Sequence, residues 1–588
     1  MIWNVCFIAS ILVLCITFLQ AFIFNKSRSL NSYYLVFIGV FVAVFISLIP
    51  VYSIMLLDDT GYLLKLIVFD FLQTIRIFTI NIEADIIIES ITSNSTNINE
   101  IYSIYMTILF FVSPLLTFSF LVSIINNIYA EVSYFLNYNK ALCVFSRLNE
   151  KSLLLAQNIK RNHNDYQIIF TNVNKTNDTT NDYLLAAKEM NSIIICKSII
   201  NIDFFMHNKK SLIDFYMIDD NENNNLVYSL KLIEKYNTRK NTNIYVFSKE
   251  VEGELLLSNV PKGEIKVRRI NEVRSSVYNF LYNEGDSLFK SSYLNENGDR
   301  EINVVIAGLG NYGIELLRGL TWYSQMDGYS IRIDAFDKDE SVKEVFEASY
   351  PDLISKKYNG TNNLGDSKYT INIHSGIDVR TKKFIDIIQS IPNITFAFVC
   401  LGSDNDNIKN AVNLRIQCAR LGYSPKIKTI IYDNEEKEIL AKISNYKGQS
   451  YDIESFGDIN TIYSENVLLC NELENLALAR HLKWGKEEDF WQYEYNYRSS
   501  MASAIHMKAR IACNIPGSNK KESELTLEER EIIENLEHRR WNAYMRSEGY
   551  VYSGSTNKNS RNDLAKMHND LVSFETLTEE EKRKDLIV

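Results

Sequence analysis

Apolar and polar positions are unevenly spread along the chain, and the unevenness divides it. Ile2 to Phe24, Tyr33 to Leu57 and Ile104 to Ile128 carry no charged residue. Each run is long enough to cross a hydrocarbon core of about 30 Å. Spans are therefore expected at 2–24, 33–57 and 104–128 within a membrane region covering residues 1–135. No basic stretch precedes the first run and no small-x-small site follows it, which argues against a cleaved signal peptide. Leu63 to Ile82 is also apolar but is broken by Lys65, Asp70 and Arg76, with Glu83, Asp85 and Glu89 following. Charge at membrane depth is costly unless it faces protein or water. Lys26 and Arg28 follow the first run, Asp58 and Asp59 the second, and Lys140, Arg147, Lys151, Lys160 and Arg161 the third. The positive-inside bias then puts the large C-terminal part in the cytoplasm of a multi-pass protein of the cell inner membrane. Three crossings satisfy this if residues 60–100 enter and leave on the outer face, as a re-entrant, pore-type segment or as a surface helix. Asp70 and Arg76 are the candidates for polar pore or bundle-interior positions, with a mutual ion pair as the alternative. Gly61 is the only glycine of that segment and a Thr-Val-Gly-Tyr-Gly type loop is absent, so potassium selectivity has no support.

After the membrane region, strand-like runs alternate with helical patterns, the signature of βαβ units around a parallel sheet. Two such series stand in tandem, at 141–295 and 300–465. The second opens with the apolar run Ile302 to Ala307, then Gly308-Leu-Gly310-Asn-Tyr-Gly313 and an apolar helix; the next strand, Tyr329 to Phe336, ends at Asp337. Strand, glycine turn, helix and a distal acid form a dinucleotide-binding fingerprint in its proper context. Gly308 permits the tight turn, Gly310 the approach of a pyrophosphate and Gly313 close helix–sheet packing. The helix start supplies N–H groups to phosphate, and Asp337 can accept from a ribose. The alternative is that the glycines serve packing alone. A further strand, Ile394 to Cys400, leads to Gly402-Ser-Asp404-Asn-Asp406, where Asp404 is a second candidate contact or a helix-capping acid. The first series replaces the glycines with Ser146-Arg-Leu-Asn149-Glu-Lys-Ser152. Ordinary dinucleotide binding is not expected there.

Helical spacing returns from Leu473, followed by a segment dense in aromatics (Trp484, Phe490, Trp491, Tyr493, Tyr495, Tyr497), which suits a core or an interdomain seam. Residues 466–520 form a helical connector, and the last module covers 523–588.

Composition narrows the chemistry. A net charge of −10 and a pI near 5.5 leave no basic stripe for nucleic acid. The eight cysteines show no CxxC or Cys/His spacing, so neither a metal site nor a disulfide framework is predicted. No proton-relay set stands out and no catalytic residue is assigned, so an enzyme is not expected. The cofactor expected is NAD or another adenine nucleotide.

Tandem Rossmann-like units directly after a membrane segment resemble the cytoplasmic domains that regulate conductance of potassium, the RCK/TrkA-N family. The resemblance implies a homo-oligomer, a tetramer or dimer of dimers, in which ligand-driven movement pulls on the membrane helices. At the C-terminus, Leu536-Glu-His-Arg-Arg-Trp541, Gly549-Tyr-Val-Tyr552, Lys566-Met-His568-Asn-Asp570-Leu-Val and Leu577-Thr-Glu-Glu-Glu-Lys582-Arg-Lys-Asp585 resemble the RyR domain, the helical repeat named after ryanodine receptors. Asn569 stands where that family has proline. The resemblance implies sensing of a nucleotide-like signal, with Arg539, Arg540 and Arg546 as phosphate donors, Trp541 and Tyr552 as stacking faces, and Lys566 and His568 closing over the ligand. The alternative is a mini-core in which the arginines pair with nearby acids. The expected architecture is thus a multidomain chain: an α-helical transmembrane bundle, two tandem α/β Rossmann-like domains and a small helical RyR-type domain. The expected function is a ligand-gated membrane effector, an ion channel in contact with membrane lipid and a nucleotide-derived ligand, in bacterial signalling or anti-phage defence. A pore-less, membrane-tethered nucleotide-sensing scaffold is the alternative.

Overall fold

The computed structural model describes residues 2–24, 30–55, 62–81, 84–92, 99–173, 178–204, 207–249, 251–296, 298–355, 367–443, 445–469 and 471–587. It divides into two compact units, 1–136 and 137–588.

Among the described residues the first unit is built of helices: α1 (Ile2–Phe24), α2 (Leu30–Met55), α3 (Tyr62–Phe78), α4 (Ala84–Thr92) and α5 (Asn99–Leu136). Three windows within α1, α2 and α5 are long and apolar enough to cross a membrane: Ile2–Gln20, Leu35–Ser53 and Glu100–Ser119. The chain between α2 and α5 turns back on itself. At the start of α3, Tyr62 Oη donates to Ser53 O near the end of α2 (3.3 Å), while Phe78 at its other end packs on Phe37 and Phe41. Tyr102, early in α5, is again beside the later half of α2, donating to Ser47 O at 2.6 Å. Helix α3 thus runs antiparallel to α2 along most of its length.

Helix α3 is inverted relative to a helix of a water-soluble protein. Leu63, Leu64, Ile67, Val68, Phe71, Leu72 and Ile75 point outward, whereas Asp70, Gln73 and Thr74 are buried. Arg76 is exposed and six residues from Asp70, about 240° around a helix. The two do not form the ion pair considered from sequence; among the described residues neither carboxylate oxygen of Asp70 has a hydrogen-bond partner.

The second unit contains a six-stranded parallel sheet and a seven-stranded sheet in which six strands run parallel. The first comprises β1 (Leu142–Phe145), α6 (Glu150–Asn162), β2 (Gln167–Phe170), α7 (Asp178–Glu189), β3 (Ile193–Ile194), β4 (Ile213–Met217), α8 (Glu222–Tyr236), β5 (Thr242–Phe247), α9 (Val251–Asn259) and β6 (Lys266–Ile270), in strand order β3-β2-β1-β4-β5-β6. Helices α10 (Glu272–Asn283) and α11 (Asp286–Lys290) and the short β7 (Tyr293–Leu294) lead to the second sheet. Its elements are β8 (Arg300–Ala307), α12 (Asn311–Tyr323), β9 (Tyr329–Phe336), α13 (Val342–Ser349), α14 (Pro351–Ser355), β10 (Tyr369–His374), α15 (Lys382–Ser390), β11 (Phe396–Val399), α16 (Asp404–Arg420), β12 (Lys426–Ile430) and α17 (Asn434–Lys442). A hairpin, β13 (Asn445–Tyr446) and β14 (Gln449–Ser450), precedes β15 (Ile453–Phe456), and the order is β10-β9-β8-β11-β12-β15. In both sheets the order reverses direction beside the first strand, which opens a crevice at the carboxyl ends.

The two domains exchange helices. Phe280 and Leu281 of α10 sit in the core of the second sheet, Phe280 against Phe396 and Phe398. After β15 the chain crosses back: Ile459 and Ile462 of α18 (Ile459–Ile462), Tyr463 just after it and Leu468 of α19 (Glu465–Leu468) join the core of the first. Glu465 receives Asn162 Nδ2 and pairs with His163, both at 2.9 Å.

A helical region closes the chain: α20 (Asn471–His481), α21 (Glu487–Gln492), α22 (Glu494–Ala512), α23 (Leu527–Ser547), the paired strands β16 (Val551–Tyr552) and β17 (Met567–His568), and α24 (Glu579–Ile587). The aromatic segment does form a seam: Trp491 of α21 packs beneath Arg268 of β6 at 4.8 Å. A buried network of four arginines and four glutamates joins this region to both sheets. Arg269 binds Glu494 through two contacts of 2.7 Å, and Arg274 and Arg318 bind Glu315 at 2.7 and 2.9 Å. Arg498 reaches Glu254 at 2.9 Å and Glu548 at 3.2 Å; Glu548 also receives Arg318 at 2.6 Å.

Burial alone would raise the Glu548 carboxyl, but Arg498, Arg318 and Arg274 overcome it and hold the group below its ordinary range. A depressed carboxylate contributes stability above its unfolded value, and that contribution is lost as pH falls toward the folded one. Glu548→Gln is expected to cost about 3–5 kcal/mol, read as a lower Tm at neutral pH with a shallower loss on acidification. An unchanged Tm would remove the network from the account of how these modules are held.

Candidate functional site

The crevice of the second sheet is an open cleft of about 480 Å³, within the range of small-molecule sites. Gly308, at the end of β8, has φ +97°, and a Cβ there would lie 2.5 Å from Cys400 O. A Cβ on Gly313 would lie 1.9 Å from Gly308 O. Backbone packing alone thus requires both glycines. Gly310 differs, because a Cβ would meet nothing within 4 Å and its φ of −71° suits any residue. Gly310 caps α12 without a side chain, so the N–H groups of Asn311, Tyr312 and Gly313 lack intrahelical acceptors, and Asn311 and Tyr312 line the cleft at the positive end of the helix dipole.

Asp337 is beside this turn, at the end of β9. One carboxylate oxygen accepts from Leu309 N at 2.7 Å and the other from Asp339 N at 2.9 Å. It therefore braces the glycine loop, with lone pairs left to accept from a hydroxyl group. Asp404 does not line the cleft. Its carboxylate accepts from Tyr432 N and Asp433 N (2.9 and 2.7 Å), tying α16 to the end of β12, and Asp406 lines the wall instead. Sequence reasoning missed the opposite wall, where Ile377 and Val379 are apolar and Lys338 and Arg380 basic. Hydrogen bonds from Arg380 hold the Asp378 carboxyl at about 2. This set can take a phosphate at the helix start, a hydroxyl at Asp337 and a flat apolar ring beyond it.

The equivalent place in the first sheet is filled by side chains. Asn149 caps α6 and donates to Ile218 O at 3.0 Å, Ser146 Oγ accepts from Ile218 N at 2.9 Å, and Arg147 pairs with Asp219 at 3.1 Å.

The seven positions singled out near the C-terminus do not converge on one point. Arg539 and Arg546 point at the second α/β domain, pairing with Asp327 at 2.5 Å and Asp352 at 3.2 Å. Arg540 is turned into the helical core, on Glu537 at 2.8 Å. Trp541 and His568 meet edge-on at 4.8 Å, and Tyr552 is the strand partner of His568. Burial, then Arg561, pushes the His568 imidazole down to about 4, so it is neutral at pH 7. Lys566 Nζ donates to Glu548 O at 2.8 Å.

The two glycines should respond differently to alanine. Gly313→Ala is expected to lower the thermal midpoint clearly, and Gly310→Ala to leave stability within about 0.5 kcal/mol, both read by thermal unfolding. Equal losses would mean that Gly310 also serves packing.

No family model matches the chain, and no curated protein does. Among solved structures, the crystal structure of a point mutant of GsuK is similar at a TM-score of 0.32 and 11% identity, over 75% of this chain and 98% of that one.

Proposed function

We propose that this chain is a ligand-gated membrane effector, an oligomeric ion channel opened by a nucleotide bound at the glycine turn of the second sheet. The observation that carries the reading is Gly310, the one fingerprint glycine that packing does not require, at the start of a helix aimed into an open cleft. NAD or another adenine nucleotide suits the set: phosphate at α12, ribose at Asp337, and the base against Ile377 and Val379. Helix α12 also supports a transmission role. Its first turn faces the cleft, while Glu315 and Arg318, one and two turns on, are bonded to α10 and to Glu548 of the C-terminal region. A ligand that displaces α12 strains that network, and its gating power equals its difference in affinity for the two states.

In this reading residues 137–588 are cytoplasmic, the protein assembles as a homo-oligomer in the inner membrane, and the RyR-like C-terminal region is a second sensing module. It assigns the chain no catalytic residue. A role in anti-phage defence fits an effector held shut until a nucleotide signal appears. One observation favours the pore-less alternative: the outward face of α3 is apolar apart from Lys65 and Arg76. A lumen between copies would need a more polar wall.

Ion flux from liposomes holding the purified full chain separates the two. Flux is expected with an adenine nucleotide and not without it, and Gly310→Val should abolish the ligand response. Absence of flux with every nucleotide from a well-assembled oligomer would leave the tethered regulator; nucleotide-opened flux that survives Gly310→Val would move the site elsewhere.

A further inference from the structure

Three arginines from three helices of the C-terminal region are buried around a single glutamate. Arg480 of α20, Arg510 of α22 and Arg540 of α23 are 6%, 4% and 1% exposed, and Glu537 of α23 is 1% exposed. Arg540 bonds Glu537 through Nε at 2.9 Å and Nη2 at 2.8 Å, and Ser503 Oγ donates to the same carboxylate at 3.0 Å. Arg510 comes only within 3.8 Å of it. Arg480 donates to Ser503 Oγ and to Met507 Sδ, at 3.0 and 2.9 Å. Arg480 Nη2, Arg510 Nε and Nη1, and Arg540 Nη1 are buried with no hydrogen-bond partner among the described residues, four donors against one likewise unpartnered acceptor, Glu537 Oε2. Burial, reinforced by Arg510 and Arg540, pushes the Arg480 guanidinium down to about 9, the mark of a cation short of counter-charge. His506 adds no further positive charge, being driven well below its ordinary value by burial and by Arg510. Of two further acids nearby, Asp585 is engaged by His538 at 3.1 Å and exposed Glu522 acts on Lys483.

In the network of four arginines and four glutamates, by contrast, buried charges are matched one for one. Unmatched buried charge is strongly destabilising, and buried N–H donors normally find acceptors. Water can satisfy the donors but cannot neutralise two positive charges. A phosphate carries close to two negative charges, and its oxygens match guanidinium forks. We propose that Arg480, Arg510 and Arg540 form an oxyanion site in the C-terminal helical region, taking inorganic phosphate or the phosphate group of a larger ligand. Exposed Lys483, within electrostatic reach of Arg480 and Arg510, marks the side by which the anion arrives. The site lies apart from the glycine cleft and does not depend on it.

Thermal unfolding of the full chain, with inorganic phosphate titrated at constant ionic strength, tests the site. Phosphate is expected to raise Tm saturably by about 3–6 °C. Arg480→Leu and Arg510→Leu should each flatten the response, and Arg480→Leu, which removes an excess charge, should melt no lower than the parent without phosphate. A flat parent response, an equal rise with chloride, or an undiminished rise in both variants would overturn the proposal. Should the variants fail to fold, hydrogen exchange of the parent decides: phosphate-dependent protection of α20, α22 and α23 supports the site, and its absence overturns it. Adenosine monophosphate added to a Gly310→Val chain separates the sources. A shift larger than that from equimolar phosphate marks the group of a larger ligand, and an equal or smaller one marks the free ion.

Discussion

Electroneutrality in the buried interior governs the second unit. Arg269, Arg274, Arg318 and Arg498 face Glu254, Glu315, Glu494 and Glu548 away from water. These groups come from α9, β6, α10, α12, α22 and the end of α23, so the pairing reaches both sheets and the helical region at once. Such a network adds little stability compared with apolar packing, but losing one partner strands a charge. The pairing therefore ties the modules to the arrangement in which these charges meet. The helix that opens on the glycine cleft is part of that arrangement.

The membrane unit meets the same problem with fewer means. Helix α3 turns Asp70, Gln73 and Thr74 toward the other helices and most of its apolar residues outward, as expected of a helix whose surroundings are less polar than its neighbours. Hydroxyls share the bundle interior: Ser47 Oγ donates to Ser10 Oγ at 2.9 Å, and Ser10 meets the Tyr105 hydroxyl at 2.5 Å. Asp70 is therefore enclosed within a single chain.

The repeating strands and the glycine turn were legible in the sequence because a buried parallel strand is a continuous apolar run and the turn has fixed spacing. Strand β10 was not, since the edge strand Tyr-Thr-Ile-Asn-Ile-His alternates polar with apolar residues. β6, with Arg268 and Arg269 turned toward the helical region, hid for the same reason. The three apolar spans were plain. Asp337 was found by its position, but its grip on Leu309 N is a tertiary fact with no sequence mark. Asp404 and Asp406 could not be told apart, because two residues along a first helical turn point in different directions. Arg539, Arg540 and Arg546 read as one basic cluster, yet helical geometry sends them to three separate acids. Arg480 and Arg510 went unnoticed; the only hint was an arginine after the apolar stretch Leu476 to Ala479.

The helix exchange between the sheets bears on how the chain is made. The first sheet is complete when residue 270 has been synthesised, but Ile459, Ile462, Tyr463 and Leu468, which cover part of its core, are nearly two hundred residues away. A domain that leaves the ribosome early usually folds early. This one must wait with an apolar face uncovered until its neighbour has been built around α10, the helix it lends. The two sheets therefore mature as one cooperative body rather than in succession, and the first is the nascent surface most in need of a chaperone.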